Sequence, residues 1–179
     1  MQGLFGPFLD LVEGLGWRVS AVCQLRAEDF DATRAPAHPH GRLHRRAEND
    51  KMGVGAWVLI TETARNAVLE AMRVSEARTG WLFPAPKVDG KPWSRHYAKK
   101  LLTRAEKKAN LEHVEGGGFH AFRRKWATER KHHPEADVMR AGGADARSLQ
   151  QSYQRHDDET TLAVIMEPRR LRDARKQGA

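Results

Sequence analysis

A tyrosine, a histidine and an arginine are the first candidates for chemistry in this sequence. The chain has only two tyrosines, and Tyr153 lies in the polar stretch Ser-Tyr-Gln-Arg-His-Asp, shortly after a glycine pair. Arg123 precedes Tyr153 by 30 residues, and His120 precedes Arg123 by three. Positions i and i+3 lie on one side of a helix, so His120 and Arg123 can converge on a single phosphate group.

Side chains of these types can break a phosphodiester without a metal ion. The reaction needs a nucleophile, a proton acceptor for it, a proton donor for the leaving oxygen, and cations on the non-bridging oxygens. The chain offers residues for all four tasks. The alternative for Tyr153 is an amphipathic core tyrosine with its hydroxyl at the surface, an interpretation that fits Tyr97 more strongly.

The charge of the chain favours a polyanionic partner. Lysine and arginine number 31 against 23 acidic residues, which gives a formal net charge of +8, and the sequence pI is about 10.0. DNA, RNA or an anionic membrane would match this balance. Apolar stretches such as residues 56–60 are too short to span a bilayer, and the N-terminus has no secretory signal, so we expect a cytoplasmic protein.

The sequence predicts neither a cofactor nor a metal site. Cys23 is the only cysteine, which excludes an internal disulfide and a thiolate-based zinc site within one chain. His132 and His133 are adjacent and would point apart on a helix, and no carboxylate spacing supports a site there.

The elements around these residues are predicted to be mainly helical. Residues 4–25 have helical apolar spacing interrupted by Gly14 and Gly16, which predicts a helix to about Glu13, a turn carrying Arg18, and a short helix from about Ser20. Residues 41–61 predict two strands around a polar turn at 47–50 or 53–55. Helices are predicted at 62–78, 94–110, 119–131, 136–141, 145–156 and 158–166, the second of them rich in Lys99, Lys100, Arg104, Lys107 and Lys108.

Three segments resemble the conserved boxes of the tyrosine recombinases, the phage integrase family. Phe119–Thr128 looks like the box that contains His-x-x-Arg, Gly16–Leu25 is similar to the first arginine motif, and Tyr153 follows in the expected order. Lys51 precedes Val58-Leu59-Ile60 at the distance of the family's β-hairpin lysine. Together these boxes cover almost the whole chain.

The resemblance implies a fold and a role for each of five residues. The fold would be α+β and mainly helical, with a small antiparallel sheet near residues 42–61. Tyr153 would attack the scissile phosphate, while Arg18 and Arg123 would bind the non-bridging oxygens through their planar guanidinium groups. His120 would assist deprotonation of the tyrosine, and Lys51 would protonate the leaving 5′-oxygen.

Two of these assignments have neighbouring alternatives. Lys51 lies in a polar turn where lysine is common for solubility, and Arg45 and Arg46 are close to it in sequence. Arg124 could replace Arg123 if the helix were rotated, although the spacing from His120 favours Arg123.

The sequence also departs from the family pattern. Gly143 aligns with a His or Trp that helps to hold the phosphate, and Ala21 aligns with a glutamate that supports the first arginine. We interpret residues 1–179 as a single catalytic domain that lacks the N-terminal core-binding domain and the first catalytic-domain helix. Weak DNA binding by the chain alone would follow from the lost phosphate contacts.

Three functions are compatible with these observations. The first is site-specific recombination through a 3′-phosphotyrosyl intermediate, the second is a non-catalytic DNA-binding remnant, and the third, less favoured, is a type IB topoisomerase. The expected partner is double-stranded DNA, with no membrane partner. The resemblance also implies a dimer or tetramer on DNA, with the apolar residues of segment 162–166 exchanged between protomers.

Overall fold

The computed structural model describes residues 2–49, 53–112 and 117–143. These residues form six α-helices: α1 (Phe5–Leu15), α2 (Val19–Cys23), α3 (Glu62–Ser75), α4 (Arg95–Lys108), α5 (Phe119–Glu129) and α6 (Glu135–Gly142). Three short strands accompany them: β1 (Phe30–Asp31), β2 (Arg42–Arg45) and β3 (Ala56–Leu59). The expected α+β, mainly helical fold is therefore confirmed. The helices predicted at 145–156 and 158–166 lie outside the described residues.

A sharp bend at Gly16 separates α1 from α2. Gly16 has a φ of 62°, a left-handed conformation that favours glycine, and a Cβ at this position would overlap the ring of Trp126. The predicted order of helix, turn and short helix is confirmed, although α1 extends two residues beyond Glu13. Arg18 consequently sits at the N-terminus of α2, fixed by the bend.

The main core lies between α1 and α3. Phe8 and Leu11 of α1 are fully buried, and α3 meets them with the small side chains of Ala67 and Ala71, which allow the two helices to approach closely. Thr61 caps α3 by accepting a hydrogen bond from the backbone N–H of Ala64 at 3.2 Å. Cys23 is buried in the same core, and this burial raises the pKa of its thiol to about 12.

An aromatic cluster joins the core to α4 and α5. The ring of Phe8 lies 5.0 Å from Phe83, 5.2 Å from Trp93 and 5.7 Å from Phe119, in edge or tilted arrangements. Trp93 is buried directly before Ser94, whose hydroxyl caps α4 by accepting from the backbone N–H of Tyr97 at 3.0 Å. The start of α4 is therefore anchored both by packing and by its cap.

The sheet is antiparallel, with the strand order β1-β2-β3. Leu43 pairs with Val58 and both side chains are buried, whereas Trp57 on the opposite face is 42% exposed and stacks on His44. The hairpin β2-β3 was predicted; the two-residue strand β1 was not. Its pairing with β2 is reinforced by a 2.8 Å ion pair between Arg42 and Asp31.

Candidate active site

Arg18 occupies the N-cap position of α2. Its backbone carbonyl accepts hydrogen bonds from the N–H groups of Ala21 at 2.9 Å and Val22 at 3.2 Å, which fixes the direction of the chain. The side chain is partly buried, and its Nη1 donates to the carbonyl of Gly143 at 3.2 Å. The bend after α1 thus brings Arg18 to the end of α6.

Arg123 reaches the same place from α5, where it is almost completely buried. Its Nη1 donates to the carbonyls of Gly16 at 2.5 Å and Gly142 at 2.6 Å, and its Nη2 donates to Gly143 at 3.0 Å. Arg124, the alternative suggested by the sequence, is only partly buried and does not line the cavity between these helices. Arg123 therefore meets Arg18 at the end of α6.

Four side chains converge on the C-terminal carbonyls of α6. In addition to Arg18 and Arg123, Trp17 Nε1 donates to Ala141 at 2.7 Å, and Arg45 Nη1 donates to Arg140 at 3.0 Å and to Ala141 at 3.3 Å. The C-terminus of a helix carries a partial negative charge, so cations stabilise it. We call the donors Trp17, Arg18, Arg45 and Arg123 the α6 clamp.

Gly143 has a structural role at this junction. It ends α6 with a φ of 60°, and a Cβ there would lie 2.9 Å from Cζ of Arg45. Any larger residue would strain the backbone and displace Arg45. The absence of a side chain at position 143 therefore has a local explanation that does not involve a lost phosphate ligand.

A cavity of about 530 Å³ opens beside the α6 clamp. Its walls come from the bend before α2, from the start of α4, and from the glycine turn and first residues of α5. They comprise Trp17, Arg18, Val19, Ser20, Arg95, His96, Lys99, Gly117, Gly118, Phe119, His120 and Arg123. This lining, taken from the described residues, contains four permanent cations and no acidic side chain, so the cavity attracts anions.

His120 stands at the rim of the cavity, three residues before Arg123. Its pKa lies below the ordinary histidine value, first because of burial and then because of four nearby positive charges. These charges belong to Arg123, Arg124, Arg18 and Arg95. The neutral imidazole, the form able to accept a proton, is therefore favoured.

Comparisons with known proteins place the chain in a family. Residues 7–160 match the phage integrase family. The chain belongs to that family. No curated protein sequence matches it significantly.

Solved structures of recombinases share the fold of this phage integrase family member. The XerA recombinase matches with a TM-score of 0.68 at 15% identity, over 93% of this chain and 57% of that chain. The XerH recombinase bound to difH substrate matches with a TM-score of 0.66 at 22% identity, over 91% of this chain and 46% of that chain. The Tn1549 transposon integrase in complex with transposon right end DNA matches with a TM-score of 0.68 at 14% identity, over 90% of this chain and 58% of that chain. The chain therefore spans about half the length of these structures.

Of the five site residues predicted from the sequence, three come together in the structure. Arg18, His120 and Arg123 all line the cavity, whereas Lys51 and Tyr153 lie outside the described residues. Both alternatives to Lys51 have structural partners: Arg45 belongs to the α6 clamp, and Arg46 forms a 2.6 Å ion pair with the buried carboxylate of Asp29.

Sequence reasoning missed the contribution of α4 to this cavity in the integrase fold. Arg95, His96 and Lys99 all line it. Sequence reasoning places Lys99 in a basic run and makes no prediction for Arg95. The available signal was their i, i+4 spacing, which places Arg95 and Lys99 on one side of the helix.

The described residues contain neither a cluster of metal-binding side chains nor a helix that could span a membrane. Within 2–49, 53–112 and 117–143, no group of three or more His, Cys, Asp or Glu side chains could hold a metal ion. In that same part of the chain, no helix has both the length and the apolar character needed to cross a membrane.

Proposed function

We propose that this chain cleaves and rejoins double-stranded DNA in site-specific recombination, through a covalent phosphotyrosyl intermediate. The observation that carries the proposal is the cationic cavity in which Arg18, His120 and Arg123 meet. Membership of the phage integrase family supports it. The structural neighbours include a recombinase bound to difH substrate and an integrase in complex with transposon DNA.

In the proposed reaction, Arg18 and Arg123 bind the non-bridging oxygens of the scissile phosphate. A guanidinium has five N–H donors, and within the described residues Arg18 uses one of them on Gly143. It can therefore donate to a phosphate without leaving the α6 clamp. Fixed donors of this kind stabilise the negative charge that develops in the transition state.

Tyr153 and Lys51 complete the proposed chemistry. The Tyr153 oxygen forms a bond to phosphorus and gives its proton to His120, while the bond from phosphorus to the 5′-oxygen breaks. Lys51 supplies the proton that the leaving 5′-oxygen takes up. Attack by a 5′-hydroxyl of another strand reverses these steps, releasing the tyrosine and joining the new strand. No metal or nucleotide takes part.

The test is trapping of the covalent intermediate on a nicked suicide DNA that carries the attachment sequence flanking the gene. The wild-type chain and Tyr97→Phe should both form a protein–DNA adduct on a denaturing gel, and Tyr153→Phe should form none. Tyr97 is the matched control because it is the only other tyrosine and packs against Trp93. An adduct with Tyr153→Phe, or wild-type DNA binding with no adduct, would contradict the proposal.

The proposal extends to assembly and location. We expect the chain to form a dimer or tetramer on a DNA duplex with two sites, measured by sedimentation, and to act in the cytoplasm. A strictly monomeric complex on such a duplex would contradict the assembly. Recovery of the chain in the membrane fraction of lysed cells would contradict the location.

A further inference from the structure

The cavity beside the α6 clamp is larger and more basic than a single phosphate requires. Its volume of about 530 Å³ falls in the range of roughly 300–1,000 Å³ that accommodates drug-sized ligands. Arg18 and Arg123 lie on the side of α2 and α5, and Arg95 and Lys99 add two further cations from α4. The second pair has no task in the proposed chemistry.

The start of α4 holds this second pair in a defined place. Ala98 and Leu102 bury the inner side of the helix, and Trp93 and the Ser94 cap fix its first turn. Arg95 and Lys99 are one turn apart and exposed. The positive end of the helix macrodipole lies at the same turn and adds to the attraction for an anion.

Other arginines of the cavity and the nearby sheet have structural partners, and Arg18 and Arg123 donate to backbone carbonyls. Arg42 is paired with Asp31 and Arg46 with Asp29. Among the residues that the structure describes, neither Arg95 nor Lys99 forms a hydrogen bond or an ion pair through its side chain. Within the described part of the chain, these two cations have no acidic partner and lie in a concave surface lined by no acidic side chain, so they are suited to an external anion.

We propose that Arg95 and Lys99 form a second phosphate site, which binds a backbone phosphate adjacent to the scissile one. This inference rests on the proposed function, because it takes Arg18 and Arg123 as the site of the scissile phosphate. Successive phosphates of one DNA strand are spaced about 3.4 Å apart along the helix axis, so a cavity that extends from α5 to α4 meets more than one of them.

A phosphate contact and a base contact have different consequences. A residue that binds phosphate contributes affinity for every sequence and increases the salt dependence of binding. A residue that reads a base edge contributes to discrimination between sequences. The second phosphate site therefore predicts a uniform loss of affinity when its cations are removed.

The test compares the double variant Arg95→Gln/Lys99→Gln with Lys100→Gln in the full chain. Lys100 follows Lys99 on α4, is also exposed and does not line the cavity, so it is a matched control. Fluorescence anisotropy would measure binding to the attachment sequence and to an unrelated duplex of equal length between 50 and 200 mM salt.

We expect the double variant to bind both duplexes roughly three- to tenfold more weakly at low salt. The slope of log affinity against log salt should fall in magnitude by about 1, the loss of one phosphate contact. Lys100→Gln should bind like wild type, and Lys99→Arg, which retains the charge, should retain the slope. Unchanged thermal melting of the double variant would show that it is folded, since both side chains are exposed.

Three results would overturn the second phosphate site. The first is an unchanged slope in the double variant, the second is weakening confined to the attachment sequence, and the third is an equal loss in Lys100→Gln. These results are distinguishable from failure of the proposed function. Wild type that binds DNA without forming an adduct contradicts the chemistry, whereas wild type that forms an adduct, with no change of slope in the double variant, contradicts only the second site.

Discussion

The two sides of the cavity hold their cations in different ways. On one side, Arg123 is 3% exposed and bound to three backbone carbonyls, and Arg18 shares one of these carbonyls. On the other side, Arg95 and Lys99 extend into solvent from α4. Fixed cations need no reorganisation when charge develops in a reaction, whereas mobile ones lose side-chain entropy on binding. Under the proposed function, the fixed arginines form the catalytic side of the cavity, and Arg95 and Lys99 form its binding side.

The largest expected effect comes from Arg123→Lys, which retains a positive charge but loses the planar fork. We expect adduct formation to slow by roughly a hundredfold or more, as for loss of one preorganised donor. The rate of adduct formation on the nicked DNA measures it. Arg124→Lys, one residue away and outside the cavity lining, is the control. Equal losses in the two variants would show that the effect is not specific to the fixed arginine of the cavity.

Arg45→Met tests how far the α6 clamp stabilises the fold. Methionine keeps an unbranched apolar stem but leaves the carbonyls of Arg140 and Ala141 without this donor. We expect the free energy of unfolding to fall by about 1–3 kcal/mol. Arg42→Met, which breaks an ion pair at the surface of the same strand, should cost about 0–1 kcal/mol. Urea unfolding measures both, and equal costs would argue against the clamp.

Gly143→Ala tests the close contact at the end of α6. Gly143 and Gly90 both have a positive φ, 60° and 69°, so alanine costs about 1–2 kcal/mol of backbone strain at either position. Only at Gly143 would the new Cβ meet Arg45, since Gly90 has open space around it. Gly143→Ala should therefore be the more destabilised of the two in urea unfolding. Equal destabilisation of the two variants would show that Arg45 moves aside freely.

The smallest expected effect is a shift in the pH dependence of adduct formation, because Arg95 on one side of the cavity influences the pKa of His120 on the other. Its lowered pKa keeps the imidazole neutral to a lower pH, so the adduct rate of wild type should fall only below the ordinary value of 6.5. Arg95→Gln removes one of the charges that lower this pKa, and should shift the acidic limb of the pH–rate profile to higher pH. Lys100→Gln should leave the profile unchanged. An unshifted acidic limb in Arg95→Gln would show that the charge on α4 does not influence the protonation of His120.

The lowered pKa of His120 also determines how this residue affects stability as the pH changes. The folded pKa of His120 lies below its unfolded value, so the unfolded chain binds more protons as the pH falls through 6.5. His120 therefore contributes to a loss of stability towards acidic pH. His120→Gln should show a weaker pH dependence of urea unfolding between pH 7 and 5.

Local signals in the sequence were sufficient for most of the fold. Apolar periodicity and the caps Thr61 and Ser94 define α3 and α4, and Gly16 marks the bend that places Arg18. The spacing of His120 and Arg123 could be assigned because both lie on one helix. Strand β1 was missed because two residues carry no periodicity, and its pairing depends on β2.

The α6 clamp and the α4 side of the cavity could not be predicted in this way. Arg45 contacts carbonyls 95 and 96 residues further along the chain, and Trp17 contacts one 124 residues away. Strand alternation places Arg45 on the same face as the buried Leu43, but it does not indicate which group Arg45 meets there, and the neighbouring Arg46 faces Asp29 instead. Such roles depend on which helix end is packed nearby, and this is a property of the tertiary structure alone.

The burial of Cys23 has a practical consequence for spectroscopy. It is the only thiol in the sequence, and with its pKa raised to about 12 it has almost no reactive thiolate at neutral pH. Maleimide reagents should therefore leave the native protein unlabelled. A cysteine introduced at an exposed position, such as Lys100→Cys on α4, would accept a single fluorophore and report the arrival of a DNA ligand without a cysteine-free background.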